Sequence, residues 1–534
     1  MLPSIPSPED YEVSSLHGFL PDELPLERLP DPYYRVWEDV IRSLQGLVLS
    51  RRLRGVVERM PTLSTDRIHT QPFLEVCNHL ELPPVATYAG VVLWNFKPIF
   101  PNEPVDQLEN LSTLLTFTGS MDESWFYLVS VAIEARAGPT IPIMLDAIRA
   151  AREGDSLRVT ASLQAFAERL DELGSLLNRM YEHCDPHVFY NRIRPFLAGS
   201  KNMADAGLPR GVMFDPTGTR DHPYVQYGGG SNAQSSVIQF FDLVLGVQHS
   251  PTGQQPQASS HKSGAPPSAN FIHDMRTYMP GPHRRFLQRV ADVANIREYV
   301  EARRSDIALT TAYDACLAML RELRDRHIRM VSRYIIVKSH EAQRRAAAAP
   351  TSESMSKPIN LANTTTSSAE TKKKLRGTGG TALIPFLKQA REETGEPAIG
   401  SWARRIMSNG PAYSVGAGLG SVTYAALGKM DEHSDGKRAI VGLAGIWSVD
   451  DSEGGICHWY ILYNQQPHGA DTDHCSSAPY LAFTRLLLTT SLANLEEAAN
   501  LLTVHGHQSS QPRASRTLAG SAPDPADVAV TSEA

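Results

Sequence analysis

A chain of 534 residues with a formal net charge of -7 has no global basic footprint, which argues against a protein built to bind nucleic acid. Its make-up, 42% hydrophobic and 20% charged, is that of an ordinary globular protein with room for two or three domains. Five cysteines without a CxxC pair suit a reducing compartment, and the Pro- and acid-rich start lacks the basic and apolar regions of a secretory leader, so a cytoplasmic protein is expected. The most apolar stretch, 126–145, is interrupted by Glu134, Arg136, Pro139 and Pro142 and predicts no uninterrupted membrane span.

Helical periodicity begins over residues 33–56, with Trp37, Val40, Ile41, Leu44, Leu47 and Val48 on one face. It resumes over 107–117, 124–137 and 159–181, where Leu163, Phe166, Leu170, Leu173, Leu177 and Met180 recur at intervals of three and four. Helices over 235–248 and 283–300 follow, and strand alternation is scarce as far as residue 390, so this part is predicted to be all-α. A polar turn at Thr118, Gly119 and Ser120 divides a small N-terminal helical domain, 1–118, from a large one, 119–397. Within the large domain, polar stretches at 250–270 and 340–376 read as surface decoration or lids, the second as a mobile loop. From 398 onward a Gly-, Ala- and Ser-rich texture predicts a partly disordered C-terminal extension, 398–534, with strands at 439–447 and 458–463 and a helix at 479–503. His458, His468, His474 and Cys475 within it are too irregularly spaced for a zinc site.

The long helix through 313–334 carries the most informative residue. Tyr313, Cys316, Leu317, Leu320, Leu323, Met330, Val331 and Tyr334 form its apolar stripe, and His327 stands where the pattern reserves a hydrophobe. Periodicity alone leaves two readings open, a hydrogen-bonded core histidine or a ligand presented to a metal or haem in an apolar cavity. The Gly-rich run Gly228 to Ser236 precedes a helix like a phosphate cradle but lacks the Lys-Ser/Thr ending, and Gly416 to Gly420 has GxGxG rather than GxGxxG spacing.

Further segments stand in a specific order around His327. They are Tyr88-Ala-Gly-Val-Val-Leu93, Trp125-Phe-Tyr-Leu-Val-Ser130, Phe189-Tyr-Asn-Arg-Ile-Arg194, Gly228-Gly-Gly-Ser-Asn-Ala-Gln-Ser-Ser236 running on to Asp242, the His273 to Leu287 run containing MRTYMPGPHRRFL, and Arg376-Gly-Thr378-Gly-Gly-Thr. In this combination the chain, over roughly residues 30–395, resembles the indoleamine 2,3-dioxygenase family of haem proteins.

The resemblance implies an all-α fold, a small N-terminal helical domain beside a large haem-binding one. It implies haem b, ferrous for activity, with His327 as the proximal iron ligand and the opposite face open for O2. Asp242 matches the acceptor that orients this imidazole, directly or through water. Tyr88, Phe126 and Phe189 match positions enclosing an indole ring, and Ser130 the hydroxyl nearest bound oxygen. Gly230 and Ser231 line the substrate and haem edge, Arg194 matches the two-pronged anchor for an amino-acid carboxylate, and Thr378 the loop residue that closes over the substrate amino group. The implied catalytic set is Ser130, Arg194 and Thr378. The implied reaction is cleavage of the pyrrole ring of L-tryptophan by O2 to N-formylkynurenine, the first step towards NAD, by a monomer served by an external electron donor. An O2-binding haem protein on the same fold, or an enzyme for another indole, are the alternatives. Val91, Tyr190 and Asn232 depart from the animal members and bear on pocket size and indole range.

Overall fold

The computed structural model describes residues 3–57, 70–201, 203, 208–214, 222–252, 270–348, 378, 383–408, 439–442 and 445–448. Helices dominate: α1 (Arg35–Arg42), α2 (Leu44–Leu49), α3 (Leu53–Val57), α4 (Thr70–His79), α5 (Met121–Ala137), α6 (Thr140–Glu153), α7 (Ser156–Asn178), α8 (Met180–His183), α9 (Pro186–Val188), α10 (Ser236–Val244), α11 (Phe271–Arg276), α12 (Gly281–Val293), α13 (Ile296–Glu301), α14 (Ile307–Val331), α15 (Lys338–Ala348), α16 (Leu383–Thr394) and α17 (Ser401–Ser408). The fold is therefore the expected all-α one, with two short antiparallel ribbons, β1 (Phe96–Pro98) with β2 (Leu111–Thr113) and β3 (Ala439–Gly442) with β4 (Gly445–Ser448).

The helix starts follow their sequences. Ser120 accepts from Glu123 N at 3.3 Å and caps α5, while the Glu123 carboxylate reaches back to Phe117 N and Thr118 N at 2.8 and 2.7 Å. Asp155 caps α7 and Asp306 caps α14 in the same manner. The α7 stripe of Leu163, Phe166, Leu170 and Leu173 packs on α14, where Tyr313, Cys316, Leu317 and Leu320 are wholly buried. Each such side chain contributes about 1.5–3 kcal/mol on burial. Gly174 belongs to this contact, because a Cβ there would meet the Arg326 guanidinium at 2.5 Å.

Some expectations give way. The span 107–117 is not a helix: a short 3-10 turn at Leu108–Asn110 leads into β2. Two asparagines replace helical hydrogen bonds there, Asn110 bonding Phe100 N and O and Asn95 bonding Leu115 N and O, all within 3.1 Å. Residues 33–56 break into three helices, and 283–300 divides at Ala294 and Asn295. One hydrophobic core runs from Val13 and Phe19 through α5, α7 and α14 to Ala398, Ile399 and Met407, so α17 belongs to the helical body. A smaller cluster of Val40, Ile41, Leu44, Leu53, Leu115 and Phe117 lies under α1 to α3. Met121–Glu153 is apolar enough by length and composition to cross a membrane, but it is the mostly buried α5 and α6 pair. α15 extends to Ala348, into the stretch expected to be loop, whose remainder from 349 lies outside the described residues. The strand at 439–447 is the β3–β4 hairpin, while 458–463, 479–503 and the histidines between them lie outside.

Three turns of π-helix interrupt the bundle, at Ala89–Leu93, Phe189–Ile193 and Ser332–Val337. Each adjoins a residue singled out in the sequence: Tyr88, Phe189 with Arg194, and the end of the His327 helix. Such turns cluster at functional sites because they re-aim side chains.

Candidate active site

His327 lies in the last two turns of α14, among Leu320, Leu323, Met330 and Val331, all at most 7% exposed. The imidazole itself is densely surrounded yet retains some accessible surface, as a side chain on a cavity wall does. Burial first, and the Arg324 charge second, push its pKa down to about 4, so it is neutral at ordinary pH. A neutral imidazole partly open to a cavity is the form that ligates iron, and the residues present fit a haem.

The helix carrying it is clamped from several sides. The Tyr313 hydroxyl donates to Leu245 O at 2.6 Å and the Cys316 thiol to Leu163 O at 3.0 Å. One turn before His327, Arg324 places Nη2 at 2.7 Å from both oxygens of Asp242 and bonds the Thr394 hydroxyl. His249 completes the cluster, its Nε2 3.0 Å from Asp242 and its Nδ1 2.7 Å from Glu393. All four charged side chains are at most 14% exposed. Burial works to raise Asp242, but Arg324 and His249 overcome it and hold the carboxyl below its usual range; burial likewise opposes, and Asp242 then reverses, the shift at His249, which ends raised. Asp242 thus faces Arg324 and His249, and no direct bond joins it to His327. Its influence on the imidazole passes through the backbone of α14. His249, Glu393 and Arg324 were not legible as site residues, being isolated polar residues more than seventy positions apart, apart from His249, which lies seven after Asp242.

The aromatic wall assembles as expected from distant segments. Phe126 and Phe189 stand 4.9 Å apart and tilted, and Phe189 meets Tyr334 edge-on at 5.6 Å. Tyr334, read only as part of the α14 stripe, is held there by hydrogen bonds to Cys184 O and Met180 O. Arg194 follows the Phe189–Ile193 π turn, is 1% exposed, and has its Cζ 5.9 Å from the Tyr190 ring. Burial lowers its pKa to about 10, which still leaves it charged at neutral pH. The departures are placed differently: Val91 and Tyr190 are buried, whereas Asn232 is exposed.

Tyr88 turns its hydroxyl to Glu134 Oε1 at 3.0 Å, and its backbone N–H donates to Gln234 at 2.8 Å. Gln234 in turn donates to Gly229 O at 2.9 Å. Phe126, Ser130 and Glu134 are spaced by four on α5 and share its inner face. Ser130 is 9% exposed, and its hydroxyl acts on the Tyr88 phenol. In the Gly-rich loop a Cβ on Gly229 would overlap Leu197 O at 2.0 Å, so glycine is required for the close backbone approach. Ser231 caps the short turn after it, accepting from Ala233 N at 3.3 Å. Thr378 docks on this loop: its hydroxyl donates to Gly230 O at 2.6 Å and its carbonyl accepts from Gly229 N at 3.0 Å. The residues expected to meet thus do meet, in a chain from Thr378 through Gly229, Gly230 and Gln234 to Tyr88.

A helical protein offering one neutral axial imidazole, an aromatic wall and a buried guanidinium has the parts of an oxygenating haem enzyme that takes an aromatic acid. The comparisons make the class particular. The family model described as Indoleamine 2,3-dioxygenase matches residues 7–72 and 69–397, and this chain belongs to that family. It is 37% identical over 433 residues to the indoleamine 2,3-dioxygenase of Saccharomyces cerevisiae, covering 73% of this chain and 93% of the yeast protein. It is 34% identical over 420 residues to a 6-hydroxytryptophan 2,3-dioxygenase of Fusarium equiseti, covering 72% and 96%, and 30% identical over 428 residues to the human indoleamine 2,3-dioxygenase 2, covering 73% and 95%. The family implies a haem cofactor and an indole dioxygenase activity, so the protein is an oxidoreductase.

Proposed function

We propose that this protein opens the pyrrole ring of L-tryptophan to N-formylkynurenine, inserting both atoms of O2, as the first step of the route through kynurenine towards NAD. Haem b held by His327 would supply O2 binding and activation. The chain's own residues supply position. Phe126, Phe189 and Tyr88 hold the indole, Arg194 takes the carboxylate, and Thr378 with Gly230 and Ser231 closes over the amino group. No protein base is required, and fixing two reactants in one dry cavity is the main source of rate. The working form is a cytoplasmic monomer kept ferrous by an external electron donor.

The observation that carries this reading is Arg194, a fully buried guanidinium beside the aromatic pair, since an oxygen store needs no carboxylate anchor. Arg194→Ala should raise the Michaelis constant for tryptophan at least a hundredfold, on the order of the ~3 kcal/mol of a charged hydrogen-bonded contact, with the haem spectrum unchanged. Ferrous protein supplied with tryptophan, ascorbate and a mediator should accumulate N-formylkynurenine absorbance. An unaltered constant in the variant, or no product from the wild type, refutes the assignment. A second reading, a ring-hydroxylated tryptophan as the preferred substrate, is favoured by the buried hydroxyl-rich wall of Tyr88, Ser130 and Ser235, and the two indoles compared at equal concentration decide it.

A further inference from the structure

A carboxyl buried in a helix core is costly unless its oxygens find partners. Glu134 is wholly buried on α5, one turn beyond Ser130. Its Oε1 accepts from the Tyr88 hydroxyl at 3.0 Å and from the Ser235 hydroxyl at 2.6 Å, whereas Oε2 is buried with no hydrogen-bond partner. Two bonds to one oxygen and none to the other are what a carboxyl near the point of protonation shows. Burial raises its pKa to about 7, against the opposing pull of Ser235 and Tyr88. The titratable group facing it is Tyr88, whose phenol is pushed well above its ordinary value by burial and by Glu134, and which therefore keeps its proton. The remaining groups acting on the phenol are the neutral hydroxyls of Ser130 and Ser235.

Hydroxyls carry one proton and two lone pairs each, so a row of them has a direction. A neutral Glu134 can donate from Oε1 to the phenol oxygen. The phenol then donates to Ser130, and the Ser130 proton is free for the cavity. An ionised Glu134 only accepts. The phenol proton turns to it, Ser130 donates back to the phenol, and the cavity meets a lone pair instead of a donor. We propose that Glu134 is a positioning residue that sets the direction of the row Glu134, Tyr88, Ser130, and with it whether Ser130 presents a donor or an acceptor to a ligand beside it. Ser235 ties the same carboxyl to the N-terminus of α10, so the setting is also felt where the Gly-rich loop ends. This rests on the indole dioxygenase reading only for the identity of the ligand.

The test uses the haem-loaded protein with carbon monoxide as the distal probe. In the wild type, the C–O stretching frequency of the ferrous adduct should shift with pH in one proton step near neutrality, and the infrared band of a protonated carboxyl should fade over the same step. In Glu134→Gln, which keeps the shape and can donate permanently, the frequency should stay at the wild-type low-pH value throughout, and the carboxyl band should be missing. A glutamate that merely fills space would leave variant and wild type with the same frequency at every pH. Tyr88→Phe cuts the row at its middle and should erase the step too, which keeps the idea testable if Glu134→Gln binds haem poorly. A step that survives in either variant, or a wild type with no step, overturns the inference. Failure of the indole dioxygenase reading shows separately, as no N-formylkynurenine from the wild type, and leaves the carbon monoxide titration readable.

Discussion

Asp242→Asn tests the support behind the iron ligand. The carboxylate receives two 2.7 Å contacts from Arg324 and one of 3.0 Å from His249, and the side chains involved are at most 14% exposed. Asparagine keeps the volume and one acceptor but removes the charge, leaving a buried guanidinium opposite a neutral amide. Taking one partner from a buried pair costs about 3–5 kcal/mol, against ~0–1 for an exposed pair. A domain stable by roughly 5–15 kcal/mol would lose a large part of its margin. Urea unfolding of the haem-loaded and haem-free forms, followed by circular dichroism, reads the loss as a lowered midpoint at constant slope. Because Arg324 is three residues before His327, haem should also leave the variant faster. A stability loss under about 1 kcal/mol, the range of exposed pairs, would refute the claim that this cluster holds the proximal helix.

The same cluster predicts a pH window. Asp242 and Glu393 have lowered pKa values and stabilise the fold above the ordinary carboxylate range, a contribution lost as pH falls; His249 is raised, and its contribution is present below about 6.5 and lost as pH rises through its folded value. His249→Gln should therefore flatten the alkaline side of the stability curve, measured by midpoints from pH 5 to 9, and an unchanged alkaline slope counts against the assignment. Glu134 adds the opposite kind of term: raised to about 7, it takes away about 3 kcal/mol as pH climbs from the usual Glu value to neutrality, a loss that Glu134→Gln should abolish. His327→Ala should fold, by circular dichroism, and yet fail to retain haem on gel filtration; full haem content would sink the ligand assignment. Thr378→Ala removes one hydroxyl bond to Gly230 O, worth about 1 kcal/mol, and should raise the Michaelis constant for tryptophan roughly fivefold with little change in haem binding.

Much of the fold was legible because α5, α7 and α14 carry long periodic stripes, and those stripes are what bury. The miss at 107–117 has a local cause: Asn95 and Asn110 bond backbone in place of a helical ladder, and apolar spacing says nothing about such partners. The site was legible where family order marks it, in His327, Arg194, Phe126, Phe189 and the Gly-rich loop. It was illegible where chemistry depends on side chains meeting across the fold. Asp242 was expected to serve His327 and instead holds Arg324 and His249, whose contacts span 82 and seven positions. Glu134 looked only like an interruption of an apolar stretch, although its spacing of four from Ser130 and eight from Phe126 already put it on the pocket side of α5.

The three π turns bear on how the family can diverge. A π turn is an α-helix with one residue added, so a single deletion within it restores ordinary winding and rotates everything beyond by about 100°. At Phe189–Ile193 that rotation would swing Arg194 off the aromatic pair; at Ser332–Val337 it would spare His327, which lies upstream, and turn α15 instead. A one-residue gap in an aligned relative at the first of these positions therefore marks a protein that still binds haem but has lost its grip on an amino-acid carboxylate, whereas a gap at the second marks one whose lid enters from a different side.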